Sequence, residues 1–223
     1  MKFEVTVLGS GSAVPTRTRN PTAHVINIQE SYMLADCGEG TQLQLKNSSV
    51  KLQRIESIFI THMHGDHFYG LPGLISTLHL LGRKQPLTIY GPSTLPEVIM
   101  PMVDIARSSL RYQLNFVSTQ NKELQKIVDH KKYEVYSFPL IHKVPTTGFL
   151  FKEKEKMKTY KSNIGQSYNI PTYWIPRIKM GEDYVGEDGT VVANHLLTKP
   201  APKAKSYAFC TDTAYNPKLA EYI

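Results

Sequence analysis

Thr61-His-Met-His-Gly-Asp-His67 packs four metal-binding side chains into one short stretch: His62, His64, Asp66 and His67. Imidazole and carboxylate together suit zinc and similar divalent ions. Four donors this close along the chain cannot all reach one tetrahedral ion, because the backbone intervenes. They can divide between two ions, with His62 and His64 on one and Asp66 and His67 on the other. Two metals about 3.5–4 Å apart form a hydrolytic centre, often for phosphodiesters. Such a pair needs more ligands than this stretch supplies, so the chain must fold to bring distant donors to it.

The surroundings say how. Ser57-Ile-Phe-Ile60 is a short apolar run rich in β-formers and reads as a buried strand. The cluster then lies on the loop at the strand's C-terminal end, where ligands collect in α/β sheets. Leu71–Leu81 reads as a helix closing at Gly82. Further strands are expected at 1–8, 23–28, Tyr32–Asp36, Pro86–Tyr90, Gln113–Val117, Tyr133–Phe138, Thr147–Phe151 and Ser206–Cys210. Thr94-x-x-Glu97 is a capping-box pattern opening a helix through about Ser109. Gly9-Ser-Gly-Ser12 reads as a turn; its glycine spacing is wrong for a dinucleotide fingerprint. Two strand ends carry further donors, His142 after Phe138-Pro-Leu-Ile and Asp212 after Ala208-Phe-Cys-Thr. Both can converge on the His62–His67 loop, and a carboxylate with two oxygens suits a bridge between cations. His24, His79, His130 and His195 have no such partners and read as structural or surface residues.

With 223 residues and 41% hydrophobic content, the chain can build one sizeable core. No apolar run approaches the ~20 residues of a membrane span. Cys37 and Cys210 are the only cysteines, so a disulfide scaffold is not expected and a reducing cytoplasm is the default. A formal net charge of +7 favours a polyanionic partner such as nucleic acid. Residues 152–205 change character: lysines crowd Lys152–Lys161, Tyr160, Tyr168, Tyr173 and Trp174 follow, and prolines interrupt. Asp188-Gly189 reads as a hairpin turn. This stretch is either a solvated excursion or an arm gripping nucleic acid, with lysines on phosphates and aromatics stacking on bases. The expected organisation is a single domain, 1–223, carrying that excursion.

Taken together, these residues resemble the metallo-β-lactamase superfamily and, within it, ribonuclease Z, the tRNA 3′-processing endonucleases. The shared pattern is Leu8-Gly-Ser-Gly-Ser-Ala-Val-Pro-Thr16, Asp36-Cys-Gly-Glu-Gly-Thr-Gln42, Phe59-Ile-Thr-His-Met-His-Gly-Asp-His67 and Gly70-Leu-Pro-Gly-Leu74. The HxHxDH pattern marks the superfamily, and the elements around it are more specific to the ribonuclease Z branch. The resemblance implies an α/β fold, an αβ/βα four-layer sandwich with two mixed sheets packed together. It implies two zinc ions, with manganese or cobalt as possible substitutes: His62, His64 and His142 on one, Asp66 and His67 on the other, Asp212 bridging. It makes Asp66 the proton acceptor for the attacking water. The substrate implied is precursor tRNA, cut after the discriminator nucleotide to leave a 3′-hydroxyl, by a homodimer. The family's arm usually carries a Gly-Pro-rich motif, and Ile170-Pro-Thr-Tyr-Trp-Ile-Pro-Arg-Ile-Lys179 lacks it. The family also continues past the position of Ile223, with a histidine-containing helix segment and a last histidine ligand. The sequence is therefore expected to be either a piece of a longer protein or a chain whose second metal site lacks a ligand. Two other readings compete: a relative acting on small phosphodiesters, sulfate esters or thioesters, and a non-catalytic RNA-binding relative.

Overall fold

The computed structural model describes residues 2–104, 110–120 and 122–223. It divides into two compact units, Met1–Lys152 with Ser206–Ile223, and Glu153–Lys205.

The first unit is built on two sheets. One has six strands in sequence order: β1 (Phe3–Gly9), β2 (Ala23–Ile28), β3 (Ser31–Ala35), β4 (Ile55–Phe59), β5 (Leu87–Gly91) and β6 (Leu114–Ser118). Its first three strands pair antiparallel and β3 to β6 pair parallel. The second sheet comprises β7 (Gln125–Asp129), β8 (Tyr133–Leu140), β9 (Thr146–Glu153) and, as its other edge, β14 (Ser206–Phe209). Alternation along each strand sorts side chains between layers. Ile26, Ile28, Met33, Ala35 and Phe59 of the first sheet pack against Tyr133, Val135, Phe149, Phe151 and Phe209 of the second. On its other face, Ala23, Val25, Leu34 and Ile58 meet the apolar sides of α1 (Thr41–Asn47), α3 (Leu71–Leu80) and α4 (Leu95–Asp104). The outer face of the second sheet, through Phe138, Leu140 and Leu150, is covered by Leu219 and Tyr222 of the short α8 (Leu219–Tyr222). Strands buried on both faces read as continuous apolar runs, as Phe149-Leu-Phe151 does.

The expected helix at 71–81 ends as read. Gly82 takes φ +77, and Arg83 N–H donates to Leu78 O at 3.0 Å, a Schellman closure. The expected continuation of α4 beyond Asp104 to about Ser109 lies outside the described residues. α1 and β7 were not expected. Gly38 and Gly70 are small because backbone crowds them: a Cβ on Gly70 would meet Gly38 O, and one on Gly38 would meet Asp66 O. The motif Asp36-Cys-Gly-Glu-Gly and the metal loop are thus packed main chain to main chain, and Cys37 N–H donates to His67 O at 2.8 Å.

The second unit contains β10 (Thr159–Tyr160), α5 (Ser162–Ser167), α6 (Ile175–Met180), β11 (Tyr184–Val185), β12 (Val191–Val192), α7 (Asn194–Leu197) and β13 (Thr198–Lys199). It has its own small core of Ile170, Ile178, Val192 and Leu197. Gly189, at φ +81, turns the β11–β12 hairpin. The lysine run is partly spent inside this unit: Lys156 pairs with Glu153 at 2.9 Å, Lys158 donates to Asn194 Oδ1 at 2.8 Å and Lys161 to Leu196 O at 3.1 Å. Tyr168, Tyr173, Trp174 and Tyr184 line a cleft of about 450 Å³.

Lys152 of β9 and Ser206 of β14 are direct antiparallel partners. The second unit therefore interrupts what would otherwise be a hairpin. Replacing Glu153–Lys205 by Asn-Gly, the turn that best matches strand twist, should leave a chain that still melts cooperatively. Thermal unfolding by circular dichroism checks this, and loss of a cooperative transition would show that the first unit needs the insert.

Candidate metal centre

Loops at the C-terminal ends of four strands build the centre, all within the first unit. β4 runs into Thr61 and His62, and the chain then turns through His64 into α2 (Gly65–Phe68), which carries Asp66 and His67. His142 follows β8, and Asp212 follows β14. Asp36, which follows β3, lies directly behind them. The loops are tied to each other. Ala214 N–H donates to Ile141 O at 2.7 Å, and Thr147 N–H to Thr61 O at 3.0 Å.

All six residues expected from sequence meet. One donor atom from each of His62, His64, His142 and Asp212 lies within 4.8 Å of the others. His62 Nε2 is 2.9 Å from His64 Nδ1, and His64 Nδ1 is 3.4 Å from His142 Nε2. His67 Nε2 faces two carboxylates, Asp66 Oδ2 at 3.5 Å and Asp212 Oδ2 at 3.5 Å. The same Asp212 oxygen is 3.6 Å from His62 Nε2 and 3.8 Å from His142 Nε2. Asp212 therefore stands between a His62–His64–His142 set and an Asp66–His67 set. Its backbone is left-handed, φ 46, as is that of Asp36, φ 54. Aspartate tolerates this region better than most residues.

Buried partners fix which ring nitrogens face inward. Asp36 is fully buried and accepts from His67 Nδ1 at 2.6 Å, from Thr61 N–H at 2.9 Å and from the Thr61 hydroxyl at 3.0 Å. The Thr61 hydroxyl, having given its proton to Asp36, accepts from His62 Nδ1 at 3.0 Å. With Nδ1 so engaged, both rings present Nε2 toward the carboxylates, the ring atom a metal would take. Burial, and then the neighbouring His67 and His64, pull His62 down to about 4, so it is neutral at physiological pH. Burial also pulls on His67, but the Asp36 carboxylate, with Asp66 and Asp212 beyond it, carries it above the usual imidazole value. Burial pushes the Asp36 carboxyl up, and His67 and Thr61 pull it back. Asp66 Oδ2 accepts from the Ala13 N–H at 2.7 Å, so the Gly9–Ser12 turn leads into a backbone clamp on the metal loop. Nothing in the spacing of Asp36, Thr61 or Ala13 announces these roles. Their signals are membership of the shared motif segments and, for Asp36, its place directly after the apolar Met33-Leu-Ala35.

The other histidines stand elsewhere. His24 Nδ1 is 2.7 Å from the Tyr207 hydroxyl, His79 Nδ1 accepts from Arg111 N–H at 3.1 Å, the His130 ring lies tilted against that of Tyr133, and His195 is exposed. Cys37 and Cys210 are free thiols, and burial pushes Cys37 up to about 12.

The donor set fits a divalent metal. Imidazole nitrogens and carboxylate oxygens converge there, the donor types that hold zinc and similar ions. Asp36→Asn keeps shape and backbone preference but removes the charge that orients His67. It should weaken metal affinity roughly 10- to 100-fold, measured by competition with a chelator, while melting stays cooperative.

Comparison with known proteins places this geometry. Residues 3–161 match, and belong to, the family model of the anti-Pycsar protein Apyc1. Along its whole length the chain is 42% identical to ribonuclease Z of Bacteroides thetaiotaomicron, covering 70% of that protein. It is 40% identical to ribonuclease Z of Bacteroides fragilis, covering 100% of this chain and 73% of that protein. The chain belongs to the ribonuclease Z family. Among solved structures, the short form of human tRNase Z superposes with a TM-score of 0.62 at 36% identity, over 68% of this chain and 66% of that one. The metallo-β-lactamase fold protein YhfI of Bacillus subtilis superposes with a TM-score of 0.54 at 17% identity, over 68% and 58%, and shows the fold alone. The fold is therefore that of the metallo-β-lactamases, as the resemblance implied. The Apyc1 match stops short of Asp212, whereas the ribonuclease Z alignments span all six residues of the centre. The chain spans about 70% of the length of those ribonuclease Z relatives.

Proposed function

We propose that this chain is a ribonuclease Z, a metal-dependent endoribonuclease that removes 3′ trailers from precursor tRNA. The observation that carries the reading is the position of Asp212 Oδ2, shared between two sets of donors. In this reading His62, His64 and His142 hold one zinc ion, Asp66 and His67 hold a second, and Asp212 serves both. Bound there, the metals supply an activated water and electrostatic stabilisation of the phosphoryl oxygens.

The chain's own groups do the rest. Ala13 N–H occupies one lone pair of Asp66 Oδ2 and aims the carboxylate. Asp66 accepts the proton of the attacking water. The oxygen of that water forms a bond to phosphorus, and the bond to the 3′-oxygen of the discriminator nucleotide breaks. The tRNA then ends in a 3′-hydroxyl once that oxygen takes up a proton, and the trailer keeps the phosphate. Asp36 and Thr61 hold the imidazoles in their ligand tautomers throughout.

RNA contact by the 153–205 unit belongs to the same proposal, supported by its exposed aromatic cleft. Excising that unit should weaken binding of precursor tRNA and spare hydrolysis of a small phosphodiester. Assembly as a homodimer is likewise proposed, and a solution mass of one chain would remove it. A cytoplasmic setting suits the two free thiols. No described helix is long and apolar enough to cross a membrane.

The test is reconstitution. Chelator-stripped protein should be inert toward a 3′-extended precursor tRNA and regain cleavage as zinc is added, levelling near two equivalents per chain. Metal uptake without cleavage would overturn the reading. A second reading, a role like that of the anti-Pycsar protein Apyc1, rests on the match over residues 3–161. The full-length ribonuclease Z identity favours the first, and a small phosphodiester assayed beside the tRNA separates them.

A further inference from the structure

Beside the metal centre lies a cleft of about 430 Å³ lined by Ala13, Pro15, Glu39, His64, Asp66 and Tyr69. One wall is an aromatic ring that burial does not explain. Tyr69 is 65% exposed, although large aromatic side chains usually bury most of their surface. A single exposed ring on a protein surface needs no explanation. This one, however, is held in place. Tyr69 N–H donates to Gly65 O at 2.9 Å. The ring lies against Gly65, where a Cβ would run into it, so the glycine lets it sit flush on the main chain. From beneath, the buried Phe68 meets it edge to face at 5.0 Å between centroids. The residue after that glycine is Asp66, and the residue before it is His64.

We propose that Tyr69 is the stacking platform for a nucleobase next to the scissile phosphate, a positioning residue for the reaction proposed above, on which this inference rests. A flat ring fixed on the same turn as Asp66 and His64 sets the distance from base to phosphorus. Every base has a π-face, so such a platform accepts any nucleotide. That suits an enzyme whose tRNA substrates differ in sequence at the cut. The carboxylate of Glu39 in the same cleft disfavours a phosphate against this wall, which leaves the wall to a base.

The test is a cycle between protein and substrate, using the full chain. Tyr69→Leu is compared with the unaltered chain on precursor tRNAs that are intact or abasic at either nucleotide flanking the cut. Base–aromatic stacking predicts a loss of roughly 10- to 100-fold in kcat/KM for Tyr69→Leu. The abasic change at one flank should cost a similar factor. Both changes together should cost no more than either alone. Tyr69→Trp should restore the rate, and metal content and melting should match the unaltered chain in both variants. Losses that multiply at both flanks, or no loss on Tyr69→Leu, would overturn the proposal while normal cleavage by the unaltered chain keeps the parent reading. No cleavage by the unaltered chain would overturn both.

Discussion

Asp212→Ala is expected to abolish metal-dependent turnover and to strip metal from both halves of the centre. Asp212 Oδ2 lies at 3.5 Å from His67 Nε2 and 3.6 Å from His62 Nε2, so its removal deprives both donor sets at once. The loss should exceed the roughly 10- to 100-fold expected for a supporting residue such as Asp36. Alanine is also poorly suited to the left-handed backbone at this position, φ 46. Asp212→Asn separates the two effects, because asparagine tolerates that backbone but carries no charge. Elemental analysis of both variants, beside their melting curves, checks the result. Retention of a full metal complement by Asp212→Ala would remove Asp212 from its shared position.

Asp66→Ala is expected to end turnover by a different route. In the proposed reading it removes a donor of the second set and the proton acceptor together. The proton-transfer share alone is worth roughly 10²–10⁴-fold. The fold should survive, since Asp66 is a partly exposed residue of a short turn and its one strong backbone partner is Ala13 N–H at 2.7 Å. The His62–His64–His142 set stays whole, so Asp66→Ala should keep part of the metal that Asp212→Ala loses. Initial rates on a precursor tRNA, read beside metal content, check this. Near-normal cleavage by Asp66→Ala would sink its assignment as proton acceptor.

How much of this was legible before the fold was known depends on where each signal lives. The metal loop is legible because its donors are neighbours in sequence and sit between an apolar strand and a helix. His142 and Asp212 are legible by position, since each follows a strand that buries apolar residues. Asp36 and Thr61 are not, because their function arises only when β3 and β4 pair and lay two strand ends side by side. β7 escaped because Gln125-Lys-Ile-Val-Asp129 is a largely exposed edge strand, where alternation is weak. α1 escaped because it is a short helix with no side-chain cap, entered through Gly40 at φ +80. The internal order of the 152–205 stretch, left open between a solvated excursion and an RNA-gripping arm, was hidden by its lysines and interrupting prolines. Its core of four buried side chains is assembled from distant positions, and several of its lysines turn out to bond within the unit.

The most direct test of the account maps the ends of the products. A 3′-extended precursor tRNA is incubated with the purified chain and zinc, with chelator in a parallel reaction, and both fragments are sequenced and their termini assigned. The account predicts one metal-dependent cut after the discriminator nucleotide, with a 3′-hydroxyl on the tRNA and a 5′-phosphate on the trailer. Scattered cuts, a 3′-phosphate on the tRNA, or cleavage that persists with chelator would contradict it.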